Sequence, residues 1–302
     1  EDVIGLDRSY FNEGMLAYHR DVNLMKGAIM ASSFVTTVSP TYAQELRTPF
    51  YAHGLDGVIN QQSGKLQGIL NGIDTQLYDP AANPGLACNY TFKTLDKGKA
   101  ACKQALQQAV GLQENPDVPI IACVSRLVGH KGFSLVTDAL HEMMALNIQM
   151  VVLGTGDWQY EEAFRHAQSQ YPGRFAAQLT YSAPLSTMIY AGADLFLMPS
   201  VSEPCGLSQM IAMRFGTIPV VRETGGLKDT VTPYNKFDGT GRGFTFSNIS
   251  AGDMLWVLRE AVDLYHNNKK AWRGLQKESM SADFSWTNSA KQYLDIYQRI
   301  LG

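Results

Sequence analysis

The chain has 302 residues, of which 45% are hydrophobic and 18% are charged, and its formal net charge at pH 7 is -3. This composition is ordinary for a globular protein with material for a core, and the length suits two domains or one large one. The slightly acidic balance argues against binding to nucleic acid or an anionic membrane, and no apolar run approaches the roughly 18 residues of a membrane-spanning helix.

The cysteines and the start of the chain bear on its cellular setting. Cys88, Cys102, Cys123 and Cys205 form no C-x-x-C pair, so neither a zinc site nor a disulfide framework is predicted. This usage is typical of a reducing compartment, and we expect a cytoplasmic protein. The chain opens on Glu1 with no initiator Met or signal peptide, and we expect it to begin inside a longer protein.

The first 67 residues predict the end of an α/β domain whose beginning lies elsewhere. A helix is expected over Leu24–Ala31 and a strand over 34–38, and one strand with its helices cannot enclose a core. A polar connector at 61–65 follows, and the segment 68–74 should then cross into a second domain. The last predicted helix covers 286–301, and the family resemblance described below implies that it packs back toward the first domain.

From residue 118 onward, short apolar runs alternate with amphipathic stretches. The predicted strands are 120–124, 150–153, 175–179, 195–198 and 218–221, and the helices between them are 133–146, 160–171, 185–191 and 207–214. Strands this short and uniformly apolar are buried on both faces, which predicts a doubly wound parallel sheet with helices on each side. Ligands of such a fold bind beyond the carboxyl ends of the strands, so the loops there are the candidate site.

The loops after the first two strands carry charge and glycine. Ser125 and Arg126 begin the first loop, and Lys131 lies before the next helix. Two cations facing a helix N-terminus suit phosphate binding, and the alternative is a pair of solvated surface cations. The second loop begins at Gly154 with a G-x-G turn, which permits close backbone approach to a ligand. It lacks the third glycine of a dinucleotide fingerprint, so a tight strand–helix turn is the simpler interpretation.

The loop after the strand 195–198 holds a carboxylate in front of a helix. Glu203 can accept hydrogen bonds from sugar hydroxyls, and the N–H groups of Gly206, Leu207 and Ser208 can hold a phosphate. The alternatives are that Glu203 only stabilises the helix end and that Cys205 is a small core residue. The glycine turn at Gly225 and Gly226, after the last predicted strand, has two interpretations, phosphate binding and backbone packing.

Taken in order, these motifs resemble the bacterial glycogen synthase and plant starch synthase family. The matching segments are S-R-L at 125–127 with K-G at 131–132, E-P-C-G-L at 203–207, T-G-G-L at 224–227, T-V-S-P-T-Y-A at 37–43, I-L-N-G-I-D at 69–74 and D-F-S-W at 283–286. The resemblance implies a GT-B fold with two Rossmann-like domains facing across a cleft. Residues 1–67 would be the end of the first domain, 68–285 the nucleotide-sugar-binding domain, and 286–302 the C-terminal helix.

The resemblance also implies a function. The family transfers glucose from ADP-glucose to the non-reducing end of an α-1,4-glucan such as glycogen, with retention at the anomeric carbon and with no cofactor or metal ion. Carried over, the catalytic residues would be Arg126 and Lys131, which neutralise the diphosphate, and Glu203, which faces the glucose. The nucleotide sugar would contact Ser125, Arg126, Lys131, Gly154, Tyr181 (against the adenine), Cys205, Gly206, Leu207 and Ser208, with Asn71 and Asp74 near the sugar or acceptor.

One departure concerns the family's N-terminal domain. Its K-x-G-G-L loop, and the acidic residue and histidine that surround the donor sugar, are not found in this sequence. We therefore expect the chain to bind nucleotide but to have little activity alone. Three alternatives stay open: another GT-B enzyme such as a UDP-sugar transferase or phosphorylase, a non-catalytic nucleotide- or glucan-binding module, and a hydride-transfer enzyme, which the missing dinucleotide fingerprint disfavours most.

Overall fold

The computed structural model describes residues 5–302, so the opening segment 1–4 lies outside the described residues. The strands are β1 (Ala17–Tyr18), β2 (Asp21–Val22), β3 (Val35–Thr37), β4 (Leu66–Gly68), β5 (Ile120–Val124), β6 (Gln149–Leu153), β7 (Phe175–Gln178), β8 (Leu195–Met198), β9 (Ile218–Arg222) and β10 (Phe244–Phe246). The helices are α1 (Ser9–Asn12), α2 (Leu24–Ala31), α3 (Pro40–Glu45), α4 (Pro49–Ala52), α5 (Asp56–Gln61), α6 (Leu95–Val110), α7 (Phe133–Asp138), α8 (Leu140–Met144), α9 (Trp158–Gln170), α10 (Ala183–Gly192), α11 (Ser208–Arg214), α12 (Gly225–Thr230), α13 (Ala251–Asn267), α14 (Lys269–Ser281) and α15 (Trp286–Leu301).

A parallel sheet in the order β10-β9-β8-β5-β6-β7 forms the centre of the molecule. The chain runs outward from β5 through β6 to β7, then returns to place β8 on the other side of β5. The winding direction therefore reverses between β5 and β8. In a doubly wound sheet this reversal opens a crevice at the carboxyl ends of the strands. The doubly wound parallel sheet predicted from the strand pattern is confirmed.

The sheet is covered by helices on both faces because its strands are apolar on both sides. In β5, Ile121 and Cys123 belong to a core with α7, α8, α9 and α13. Ile120 and Ala122 belong to a second core with α6, α10 and α11. Fully burying one large apolar side chain contributes roughly 1.5–3 kcal/mol. Because its side chains enter the two cores alternately, β5 is fixed from both faces, and the first loop of the candidate site follows it.

Several predicted elements differ from the structure. The expected helix 133–146 is two helices, α7 and α8, separated at Ala139, whose φ of -95° and ψ of 3° leave the helical region. The apolar spacing survives the break because Phe133, Val136 and Met143 still face one core. The strands β4 and β10 were not predicted, since each has only three residues and lacks a continuous apolar run.

The N-terminal segment contains more regular structure than predicted. Strand β3 pairs in parallel with β4, Val35 opposite Leu66, so the expected single strand has a partner. The expected polar connector at 61–65 is instead the end of α5 and a short 3-10 turn before β4. An apolar cavity of about 450 Å³ lies against this small sheet, lined by residues that include Met25, Ile29 and Leu66.

The two segments where domain crossings are predicted contact each other. The backbone N–H of Ile73 donates to the carbonyl of Phe284 at 2.8 Å, and the hydroxyl of Ser289 in α15 donates to the carbonyl of Leu70 at 2.5 Å. The predicted boundaries at 67/68 and 285/286 themselves stay predictions. Within residues 5–302, no helix is long and apolar enough to cross a membrane.

Candidate functional site

The loops after β5 and β6 are joined along their backbones. The N–H of Leu127 donates to the carbonyl of Thr155 at 2.9 Å, and the N–H of Asp157 donates back to the carbonyl of Leu127 at 2.7 Å. Gly154 lies so close to the carbonyl of Ser125 that a Cβ there would collide with it. The G-x-G turn thus allows the two loops to pack against each other, and the joined loops border the crevice.

A cavity of about 250 Å³ lies beside these two joined loops. Four residues of the predicted nucleotide-sugar set line it, namely Ser125, Arg126, Gly154 and Tyr181. The Tyr181 side chain is 89% exposed, so its ring is free to stack on a flat ligand. Thr180, Ser182 and Ser186, which the sequence analysis did not select, add hydroxyl groups to the lining.

Lys131, in the loop after β5, and Glu203, in the loop after β8, form an ion pair. Lys131 Nζ lies 2.6 Å from Glu203 Oε2, and the hydroxyl of Ser200 donates to the same oxygen at 3.1 Å. Glu203 is only 6% exposed. The two loops also touch at Gly132, whose φ is +76° and which packs against the carbonyl of Pro199 where a Cβ would collide. The two charges that the sequence assigned to separate parts of a ligand therefore also bind each other.

Arg126 differs from Lys131 in its surroundings. It is exposed, and its guanidinium group makes no hydrogen bond or ion pair with the described residues. Burial lowers the pKa of His130, and the charges of Lys131 and Arg126 lower it further. The loop 125–131 thus presents a net positive potential to the crevice, as an anion site requires.

The glycine turn at Gly225–Gly226 supports the loop of Glu203. The N–H of Gly226 donates to the carbonyls of Glu203 and Pro204, both at 3.2 Å. A Cβ on either glycine would collide with the backbone of this loop. Of the two interpretations of the turn, phosphate binding or packing, these contacts favour packing.

The segment 206–208 lies at the start of α11. Among the described residues, no acceptor binds the N–H groups of Gly206, Leu207 or Ser208, which leaves three donors available. Burial raises the pKa of Tyr190 to about 12, and the nearby Ser208 side chain opposes the shift. Tyr190 also lines the 250 Å³ cavity, so this segment adjoins the predicted nucleotide pocket.

The remaining predicted residues have different surroundings. Cys205 is buried, and burial raises the pKa of its thiol, which fits a small core residue. The nearby backbone N–H of Asn71 opposes this rise in pKa, so the crossing segment lies close to the Glu203 loop. Asp74 is exposed, and one of its oxygens accepts from the N–H groups of Gln76 and Leu77, both at 2.9 Å. These bonds lower the pKa of Asp74 and give it a turn-capping role.

Contacts from the N-terminal segment were missed by the sequence analysis. Thr41 in α3 donates its N–H and its hydroxyl to the carboxylate of Asp229, at 2.9 and 2.6 Å. Glu45 Oε1 accepts from the hydroxyl of Thr224 at 2.8 Å and from the N–H of Gly225 at 3.0 Å. The segment 37–43 was matched as a motif but carried no assigned contact, because the partners are over 170 residues away in sequence.

No cluster of three or more His, Cys, Asp or Glu side chains able to hold a metal ion occurs in the described part of the chain, residues 5–302.

Comparison with known families gives two matches. The family model described as "Glycosyl transferases group 1" matches residues 106–272, which include the loops of the candidate site. The model described as "Starch synthase catalytic domain" matches residues 1–61. The two matches divide the chain between its N-terminal segment and its large sheet.

Individual relatives agree with these matches. The chain is 48% identical over 301 residues to the glycogen synthase of Geobacillus thermodenitrificans (strain NG80-2) and 45% identical over 299 residues to that of Clostridioides difficile (strain 630). The alignments cover 100% and 99% of this chain but 62% of each relative. The chain therefore spans about three-fifths of the length of these relatives.

Solved structures are similar over nearly the whole chain. The catalytic domain of Starch Synthase IV from Arabidopsis thaliana, bound to ADP and acarbose, superposes with a TM-score of 0.90 at 39% identity, covering 98% of this chain and 62% of that one. Anabaena Alr3699/HepE, in complex with UDP and glucose, gives 0.64 at 15% identity, covering 97% and 68%. The second likeness concerns the fold alone. The fold is of the GT-B type, as the sequence motifs predicted.

Proposed function

The chain belongs to the glycosyl transferases of group 1, and on this basis we propose that it is the nucleotide-sugar-binding part of a retaining glucosyltransferase. The donor is ADP-glucose and the acceptor is the non-reducing end of an α-1,4-glucan, as in glycogen synthesis. The relatives named glycogen synthase and the starch synthase bound to ADP and acarbose support this assignment. The observation that carries it is that Arg126 and the Lys131–Glu203 ion pair lie in the loops that follow the adjacent strands β5 and β8 at the carboxyl end of the sheet.

In this proposal the diphosphate lies against the loop 125–131 and the amides of 206–208. Cleavage of the bond between glucose and phosphate builds negative charge on the leaving diphosphate. Cations and N–H groups fixed before the reaction stabilise this charge without reorganising. Arg126 offers a planar set of donors, and Lys131 offers a compact charge. This chain thereby supplies the electrostatic part of catalysis from its own residues.

Glu203 is proposed to face the transferred glucose. Its Oε2 is held by Lys131 and Ser200, whereas its Oε1 accepts no hydrogen bond from the described residues. A carboxylate with one fixed oxygen and one available oxygen can accept from a sugar hydroxyl in a defined direction. The contact should strengthen as positive charge develops on the glucosyl ring. Retention at the anomeric carbon is carried over from the resemblance.

The adenine is proposed to lie on the exposed ring of Tyr181 above the 250 Å³ cavity. The hydroxyls of Ser182 and Ser186 lie in the same lining and offer hydrogen bonds to the nucleoside.

All four cysteines are free, which suits a reducing compartment, and we place the enzyme in the bacterial cytoplasm.

The test uses the complete gene product that contains residues 1–302. Purified protein incubated with ADP-glucose and glycogen should extend the glucan with α-linked glucose, and NMR of the product reports the anomeric configuration. UDP-glucose serves as the control donor, and a parallel reaction with a metal chelator should proceed at a similar rate. Transfer from UDP-glucose alone, or no transfer from either donor, would contradict the assignment.

A further inference from the structure

Arg222 is a buried cation to which neither the proposed function nor any motif assigns a role. It ends β9 and is 4% exposed. Its Nε donates to the carbonyl of Ser200 at 2.7 Å, its Nη2 to the carbonyl of Val201 at 2.6 Å, and its Nη1 to the carbonyl of Ser247 at 3.2 Å. Burial of a charge is costly unless it is well hydrogen-bonded. Here the bonds fasten β9 to the two residues that open the Glu203 loop.

Ser200 connects this cation to the carboxylate. Its carbonyl accepts from Arg222, and its hydroxyl donates to Glu203 Oε2 at 3.1 Å. The next residue, Val201, is held on its other side by an N–H that donates to the carbonyl of His130 at 2.9 Å. The backbone at 200–201 is therefore fixed between β9 and the loop that carries Lys131. The hydroxyl that Ser200 donates to Glu203 thus comes from a backbone segment that is held on both sides.

The other side of Arg222 reaches the N-terminal segment. Its Nη2 donates to the hydroxyl of Tyr51 in α4 at 3.2 Å. The same hydroxyl lies 3.4 Å from the hydroxyl of Thr224, which donates to Glu45 Oε1. Glu45 Oε2 is buried and accepts no hydrogen bond from the described residues. A continuous polar network thus runs from Glu45 and Tyr51 through Arg222 and Ser200 to Glu203.

We infer that Arg222 is a positioning residue for glucosyl transfer. It sets the orientation of Glu203 through Ser200, and it ties that orientation to the docked N-terminal segment through Tyr51. The inference rests on the role proposed for Glu203, but the positioning itself is a structural statement that can be tested without substrate. A fixed carboxylate matters because small displacements of a catalytic group lower the rate steeply.

The structural arm of the test compares Arg222→Met with a matched control, Arg174→Met. Arg174 also donates to three carbonyls, those of Met144, Leu146 and Ile148, and it lies at β7, away from the Glu203 loop. Hydrogen–deuterium exchange without ligand should show faster exchange in 199–207 for Arg222→Met but not for Arg174→Met. Equal exchange of this segment in the two variants would overturn the positioning role, whether or not the enzyme transfers glucose.

The kinetic arm uses the complete gene product. Arg222→Met should lower kcat roughly tenfold or more while the KM for ADP-glucose changes by less than about threefold. Arg222→Lys should recover part of the loss, since a lysine can still reach one of the carbonyls. Arg174→Met should lower the melting temperature and leave kcat within about twofold. A loss of kcat in Arg174→Met as large as that in Arg222→Met would mean that only general stability is measured.

A double-mutant cycle separates the pathway through Ser200 from other effects. Ser200→Ala removes the hydroxyl that contacts Glu203 but keeps the carbonyl that Arg222 binds. If both residues act through Glu203, the double variant should lose little more activity than Arg222→Met alone. Tyr51→Phe should give a smaller loss of kcat that adds little to Arg222→Met for the same reason. Losses that multiply independently would overturn the inferred connection.

Discussion

The two cations of the loop 125–131 should respond differently to removal of their charge, although both are assigned to the diphosphate. The side chain of Lys131 is 18% exposed, and it pairs at 2.6 Å with the side chain of Glu203, which is 8% exposed. Arg126 is exposed and makes no ion pair with the described residues. Replacing each by Met therefore separates a role in stability from a role in binding.

The magnitude for Lys131→Met follows from its partner. Removing one member of a fully buried pair costs about 3–5 kcal/mol, because the other charge stays buried, and a charged hydrogen bond contributes about 1.5–3 kcal/mol. Lys131 is partly solvated, and Ser200 still donates to Glu203. We expect a loss of about 2–3 kcal/mol in the free energy of unfolding. For Arg126→Met, a surface substitution, the change should stay within about 0.5 kcal/mol.

Urea denaturation measures the first effect and calorimetry with ADP measures the second. Both variants should bind ADP at least about tenfold more weakly, since each removes a charge-assisted phosphate contact. Adding Glu203→Gln to Lys131→Met should restore part of the lost stability, because the neutral amide needs no cation. Equal stability of the two single variants would mean that the Lys131–Glu203 pair is only a solvated contact. Unchanged ADP affinity in both would exclude this loop as the phosphate site.

Three further outcomes are expected. In the complete gene product, Glu203→Ala should lower kcat roughly a hundredfold or more while the Kd for ADP changes by less than about threefold; a kcat within a few-fold of the wild type would leave Glu203 as a helix-end carboxylate. Gly132 and Gly111 share a φ of +76°, but only Gly132 has a backbone neighbour in the way of a Cβ. Gly111→Ala should therefore lower the free energy of unfolding by about 1–2 kcal/mol. Gly132→Ala should lower it further and should also weaken ADP binding. Equal losses of stability in the two variants would argue against the contact between Gly132 and Pro199. Burial lowers the pKa of Lys99 from 10.5 to about 8, so the unfolded chain keeps a proton that the folded chain loses between these values. The contribution of Lys99 to the free energy of unfolding should be complete above pH 10.5 and be lost as the pH falls through 8. Chemical denaturation measures the free energies of unfolding of the wild type and of Lys99→Met, and a difference between them that does not change with pH would contradict the shift in pKa.

The strands of the large sheet were predictable because burial on both faces gives them continuous apolar runs. Such runs are visible without any tertiary information, and 120–124 and 195–198 match β5 and β8 to the residue. The position of β10 was not predictable, because an edge strand with Thr245 between two phenylalanines shows no such run. The break at Ala139 was also hidden, since apolar spacing reports which side is buried and does not report helix continuity.

The candidate site was predictable as a set of loops but not as a set of contacts. Strand order brings the loops of Arg126, Tyr181 and Glu203 to one edge of the sheet. That Lys131 and Glu203 pair directly, and that Gly132 packs against Pro199 beside them, are contacts between distant segments that no local pattern encodes. The assignments of these residues to ADP-glucose stay predictions, with calorimetry and kinetics as their tests.

The contact between the crossing segments also bears on how this chain can be rearranged. Leu70 and Ser289 are 219 residues apart in sequence, yet one hydrogen bond joins them, and Ile73 and Phe284 are joined beside them. The two ends of the stretch that carries the large sheet therefore lie side by side. Units whose two ends meet tolerate insertion into a host chain and circular permutation. We therefore expect that this stretch can be transferred into another chain as one piece.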